Sequence, residues 1–188
     1  LAHSHQPEGS TGNRCVECHM PKTVYMGNEP RPDHGFLSPD PMMTRELGIP
    51  NACTNCHSDE SVEWAEEKVA EWYPDPVVLP RQRERARILT EAWNRDPAIG
   101  RALLKMAEGE PVGAWKATYT GLLEPYASDE AVAGYLRDQL SHPDPLVRSR
   151  AVSAAGMAGV GGPRFDRLLD DPALNVRLAA ARTYVAAH

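Results

Sequence analysis

The chain has 188 residues, enough for one large domain or two small ones, with 20 basic and 26 acidic side chains and a formal charge of −6. That balance disfavours a nucleic-acid partner and suits a protein that docks on a basic or mixed surface. There is no positively charged apolar leader and no apolar run of bilayer-spanning length, so no membrane span is expected in this chain.

Residues 1 to 57 hold five of the seven histidines, four of the six methionines and all four cysteines. They are rich in Pro, Gly and Asn and lack sustained periodicity. A polypeptide of that kind cannot bury enough apolar surface with its own side chains. A disordered linker has the same composition, but not the same cysteine pattern. Cys15-Val16-Glu17-Cys18-His19 and Cys53-Thr54-Asn55-Cys56-His57 are both Cys-x-x-Cys-His, the attachment sequence for c-type haem. Two thiols three residues apart can each form a thioether with one porphyrin vinyl group, and the next residue carries its imidazole under the iron. One chance occurrence is expected on the order of once in a thousand chains of this size. Two occurrences that use every cysteine point to two covalent haem c groups, with His19 and His57 as iron ligands. Zinc on four thiolates and a pair of disulfides are the competing readings. Neither needs a histidine after each pair.

The sixth ligand of each iron decides between electron transfer and chemistry on a small molecule. Candidate distal histidines are His3 and His5, ahead of Cys15, and His34, in the polar turn Arg31-Pro32-Asp33-His34-Gly35-Phe36. Asp33 can hold the second ring nitrogen of His34, or it can cap a turn. Met20, Met26, Met42 and Met43 are rival ligands, or they pack on the porphyrins. His142 and His188 read as surface residues. Covalent haem is attached outside the cytoplasm, so a periplasmic or extracellular location is expected, with the leader removed by processing.

A helix is predicted after His57, with Ser58 and Asp59 as cap residues, Val62, Ala65, Val69 and Trp72 on one face, and Pro74 as its stop. Its first turn is expected to pack near the second haem. The composition then changes near residue 75. From Pro80 the pattern is helical, with acid-proline pairs at Asp96-Pro97, Glu110-Pro111, Asp144-Pro145 and Asp171-Pro172, each read as an N-cap followed by proline at the first helical position. Apolar stripes follow, such as Val112, Trp115, Tyr119, Leu122 and Val132, Tyr135, Leu136, Leu140. Val147-Arg148 and Val176-Arg177 lie 29 residues apart. Period and content resemble HEAT-type helical repeats; an irregular helical bundle is the plainer alternative. Val112, Val147 and Val176 are expected to point into one continuous core, and residues 80 to 188 to fold without haem.

The stretch from His3 to Trp72 resembles a family of bacterial multihaem cytochromes c with paired Cys-x-x-Cys-His motifs, related to the cytochrome c554 and pentahaem nitrite reductase group. Cys15 to Pro21, Tyr25-Met26, Arg31 to His34, Pro50 to His57 and Trp64-Ala65 carry the resemblance. It implies bis-histidine haems, with His34 and the pair His3 and His5 supplying distal ligands. It also implies further haems upstream, and thus the C-terminal portion of a larger cytochrome, and it leaves open whether His3 or His5 serves a haem of this chain.

The expected fold is mainly α. A haem-cored, irregular segment, residues 1–75, precedes a short α-solenoid of HEAT-like repeats, residues 76–188. The expected function is electron transfer to other cytochromes or redox proteins, or to further haem units of the same parent, with the repeats as docking scaffold. The alternative is a segment of a multihaem oxidoreductase acting on nitrite, hydroxylamine or a similar nitrogen compound. That needs an open iron; related nitrite reductases use Cys-x-x-Cys-Lys, which does not occur here.

Overall fold

Prolines, glycines and acidic caps divide this chain into many short helices, and the computed structural model describes residues 3–75, 79–161 and 165–187. The fold is mainly α, as expected, with one two-stranded sheet among the described residues. It divides into two compact units, Leu1–Arg87 and Ile88–His188, with the division inside α5 (Leu79–Trp93).

The first unit opens with a 3-10 turn and α1 (Cys15–His19). A hairpin follows, β1 (Lys22–Tyr25) paired antiparallel with β2 (Glu29–Pro32). Its three-residue loop, Met26 to Asn28, has Met26 at φ 51° and Gly27 at φ 80°, both in the left-handed region that a tight hairpin requires. No strand was expected here. All eight strand residues are exposed, so no buried face imposes an alternating pattern, and Pro30 and Pro32 are tolerated because the sheet has only edge strands. Arg31 and Pro32 therefore lie in β2, and only the residues after them form the turn.

Next come α2 (Pro41–Leu47), α3 (Cys53–Cys56) and α4 (Val62–Trp72). The cap of α4 is Ser61, whose Oγ accepts the Trp64 N–H at 3.2 Å, not Ser58 or Asp59 as expected. The chain first turns through His57–Glu60, where the Glu60 N–H reaches the His57 carbonyl. Ala65 is fully buried in α4, which packs on α2, while Val62, Val69 and Trp72 are half-buried. Tyr73 caps the C-terminus ahead of Pro74, as expected. The Asp40 carboxylate, buried at the start of α2, receives Nε and Nη2 of Arg83 at 2.6 and 2.9 Å. Among the described residues of this unit, Met43, Ala52, Ala65 and Leu79 are the four buried apolar residues besides Pro41. That is too little for a self-sufficient core.

The second unit is different. α6 (Gly100–Gly109), α7 (Gly113–Leu122), α8 (Glu130–Gln139), α9 (Pro145–Met157), α10 (Phe165–Leu168) and α11 (Leu174–Ala187) enclose a continuous apolar core. α6 packs on α7 and α8, α9 on α7 and α8, and α11 on α9 and α10. The stripe Val132, Tyr135, Leu136, Leu140 is buried as expected, and so are Val147 and Val176. Val112 is not: it is 51 % exposed, because α7 starts one residue later and Val112 is its N-cap.

The acid-proline pairs divide in the same way. Asp144 accepts the Leu146 N–H at 2.8 Å with Pro145 at the first helical position, as expected. Asp96-Pro97, Glu110-Pro111 and Asp171-Pro172 instead form turns ahead of their helices, bonding the Ala98, Val112 and Ala173 N–H groups. Asp129, without a following proline, caps α8 through the Ala131 N–H.

The repeat also has a different register from the acid-proline one. Arg148 Nη1 donates to the carbonyls of His142 and Pro143 at 2.8 and 3.0 Å. Arg177 Nη1 donates to those of Asp171 and Pro172 at 2.8 and 3.1 Å. His142 Nδ1 accepts the Asp144 N–H at 3.0 Å, as Asp171 Oδ1 accepts the Ala173 N–H at 2.8 Å. His142-Pro143 is thus the counterpart of Asp171-Pro172, and His142 is a half-buried cap, not a surface residue. His188 lies outside the described residues.

Candidate haem-binding site

Each Cys-x-x-Cys-His motif forms a single helical turn. Cys15 and Cys18 stand three residues apart in α1, which His19 ends. Cys53 and Cys56 do the same in α3, and His57 is the residue that caps it, its N–H on the Cys53 carbonyl. This spacing puts both thiols of a motif on one face.

The second motif is held by a residue that the sequence reading did not single out. Buried Asn51 accepts the N–H groups of Cys53 and Thr54 at 3.0 and 3.1 Å. Its Nδ2 donates to Thr44 Oγ1, which donates to the Ile49 carbonyl. Asn51 therefore satisfies the open N-terminus of α3 and ties it to α2. Asparagine just ahead of a helix is a strong capping signal, and Pro50-Asn51 was legible as one.

The two motifs are electrostatic neighbours. Burial pushes the Cys18 thiol up, and the charges of Cys56, Glu17 and Cys15 add to this. Cys53 is pushed up by burial and then by Cys18. Thiols raised in this way are poor nucleophilic catalysts at neutral pH. All four cysteines are free, and among the described residues no three of His, Cys, Asp and Glu converge as a zinc site requires.

His19 has the environment of a metal ligand. Its Nδ1 lies 2.9 Å from the Leu37 carbonyl oxygen. A carbonyl only accepts, so Nδ1 carries the proton and Nε2 keeps its lone pair for an iron. Phe36 lies over the ring, with centroids 4.9 Å apart. His3 lies parallel within 6° at a centroid separation of 5.9 Å. The His3 carbonyl accepts the Tyr73 hydroxyl, which ties this N-terminal arm to the end of α4.

His5 is placed elsewhere, stacked on Trp72 at 4.7 Å. His57 is exposed, its ring 4.9 Å from that of Trp64 at the start of α4. His34 is exposed beyond β2, and Asp33 Oδ1 accepts the Gly35 N–H at 2.8 Å, so Asp33 caps the turn. Met26 is at the hairpin tip, 84 % exposed, and Met43 is buried in α2; Met20 and Met42 are half-buried.

These residues fit haem. The thiols are paired on helical turns, an imidazole is oriented by its second nitrogen, and the apolar core is thin. Val16 within the first motif, Phe36 over the His19 ring and Leu37 beside it are exposed. They form the kind of apolar surface that a porphyrin covers.

No curated protein and no solved structure matches the chain. The sequence model of the cytochrome c552 family matches residues 3–97, which include both motifs, every candidate ligand and the whole of the thin-cored unit from His3 onward. A match over half of the chain that spans both Cys-x-x-Cys-His turns places the protein in a family of c-type cytochromes that transfer electrons through haem c: the chain belongs to the cytochrome c552 family.

Proposed function

We propose that this chain is a two-haem, electron-transferring portion of a larger multihaem cytochrome, located in the periplasm or outside the cell. Cys15 and Cys18 hold one haem and Cys53 and Cys56 the other, with His19 and His57 as proximal ligands. The observation that carries this reading is the His19–Leu37 hydrogen bond within a Cys-x-x-Cys-His turn. Haem, when bound, supplies a one-electron iron couple. The chain's own residues orient it. Leu37 and Phe36 hold the His19 ring, Asn51 holds the second motif, and Tyr73 holds His3 within reach. His34 and His5 are the further distal candidates. Residues 76–188 act as a HEAT-like docking scaffold for another cytochrome or redox protein, without nucleic acid.

One observation favours the second reading, reduction of nitrite, hydroxylamine or a similar nitrogen compound. The ring beside His57 is the indole of Trp64, and no imidazole stacks there among the described residues. An iron at that motif with an open distal position would bind small molecules. Pyridine haemochrome absorbance per chain, read with carbon monoxide binding, tests both. Two covalent haems with no carbon monoxide adduct support electron transfer. Stoichiometric carbon monoxide binding transfers support to the oxidoreductase. Fewer than two covalent haems overturns the two-haem assignment.

A further inference from the structure

The 29-residue repeat shows how one helix of the second unit receives the next. α9 receives α11 through four positions. Arg148 directs Nε and Nη2 to the Asp171 carboxylate at 2.9 and 2.8 Å, keeping Nη1 for the His142 and Pro143 carbonyls. The Pro145 carbonyl accepts Asn175 Nδ2 at 3.1 Å. Ser149 Oγ donates to the Asn175 carbonyl at 3.2 Å. Gly156 lies so close to Thr183 that a Cβ there would overlap it.

Moved forward by one repeat, these positions are Arg177, Leu174, Leu178 and Val185 of α11. Arg177 uses Nη1 as Arg148 does, on the Asp171 and Pro172 carbonyls. Its Nε and Nη2, the atoms that in Arg148 hold a carboxylate, make no hydrogen bond among the described residues. Leu174, Leu178 and Val185 are 60 %, 49 % and 76 % exposed. α11 therefore presents one cationic edge and three apolar side chains at the positions where α9 is covered.

We infer that this face of α11 is an acceptor surface for a further helix pair of the same repeat kind, whose leading loop carries a carboxylate at the place of Asp171. Register and charge complementarity identify the occupant. The guanidinium edge selects an acid, Leu174 and Leu178 require an apolar helix, and Val185 replaces a glycine, so the incoming helix lies slightly farther out than α11 does on α9. The inference does not rest on the haem reading, and its test uses no haem signal.

The test appends a second copy of residues 160–188 directly after His188 in the full chain. This sets a carboxylate 23 residues beyond Arg177, the spacing of Asp171 from Arg148. The amides of α11 are expected to exchange about tenfold more slowly, and the urea midpoint to rise. Asp171→Ala in the appended copy, or Arg177→Gln in the extended chain, should remove most of the gain. For Arg177→Gln, the gain is read against the same substitution in the unextended chain. Unchanged α11 exchange in the extended chain overturns the inference. So does a gain that both substitutions leave intact, since the acid would then play no part. Concentration-dependent dimerisation of the unextended chain, abolished by Val185→Glu, would assign the face to a second copy and overturn it as well.

Discussion

The imidazole of His19 reaches forward 18 residues to the backbone of Leu37, Nδ1 to carbonyl oxygen at 2.9 Å. A side chain in a five-residue helix is thereby fixed in tautomer and orientation by a segment beyond the hairpin. His3 approaches from the other direction and is anchored through its own carbonyl by Tyr73. The two imidazoles are therefore positioned by contacts that need no metal.

From this follows an expected difference between the two N-terminal histidines. His3→Ala in the haem-loaded protein should convert one iron from low-spin to high-spin, because its imidazole is the one placed beside His19. His5→Ala should leave the low-spin spectrum unchanged, since that ring rests on Trp72. Optical and electron paramagnetic resonance spectra of the two variants check this. The opposite pattern would exchange their roles.

Asn51 gives a second expectation. Asn51→Ala removes the acceptor of two N–H groups at the start of α3 and the donor to Thr44. Loss of a cap alone costs about 1 kcal/mol, and the buried groups left unpaired add to this, so about 1–3 kcal/mol is expected. Asn51→Asp keeps the acceptor but loses the donor, and should recover part of the loss. Urea unfolding measures the cost, and intact mass measures the fraction of chains carrying only one haem. Equal stability of the alanine and aspartate variants would show that the cap contributes nothing.

How much of this was legible depends on the range of each interaction. The c-type cytochrome family was legible because covalent haem attachment needs contiguous residues. The stripe Val132 to Leu140 was legible because burial imposes a helical period. The His19–Leu37 bond was not, because a backbone acceptor leaves no mark on residue type. The hairpin was missed because exposed strands carry no alternation. Asp96-Pro97, Glu110-Pro111 and Asp171-Pro172 were misread because an acid ahead of proline serves a turn as well as a helix cap. In the repeat, Val-Arg gave the true register. The acid-proline pairs, 27 residues apart, gave a false one, because His142 occupies the place of the acid.

Asp171 makes the second unit sensitive to acid. The two hydrogen bonds from Arg148 hold its carboxyl below the ordinary aspartate range, with the Ala173 N–H and the charges of Arg148 and Arg177 assisting against burial. Its folded value is thus below its unfolded one, near 3.9. The unfolded chain binds more protons in that region, so stability rises with pH there. The contribution is complete above the unfolded value and is lost as pH falls through the folded one. Asp171→Asn can still accept the Ala173 N–H but has no charge to lose. It should be less stable at pH 7 and show a flatter decline between about pH 5 and pH 3. Urea midpoints across that range decide it, and an unaltered acid decline in the variant would remove Asp171 as its source.

His142 is expected to act as a cap of the same geometry. Its Nδ1 accepts the Asp144 N–H in the place where Asp171 Oδ1 accepts that of Ala173. The ring is half-buried, and Arg148 grips the carbonyl of the same residue, so the loop leading into α9 is organised around one histidine. His142→Ala removes the acceptor without touching the backbone carbonyl, and should lower stability by about 1 kcal/mol. His142→Asn returns a short neutral acceptor that avoids repulsion from Asp144, and should restore most of that loss. Surface placement, the reading that the sequence suggests, predicts a change within about 0.5 kcal/mol for both variants. Urea unfolding of the pair at neutral pH distinguishes the two outcomes, and slower α9 amide exchange in the asparagine variant than in the alanine variant would trace the difference to the cap.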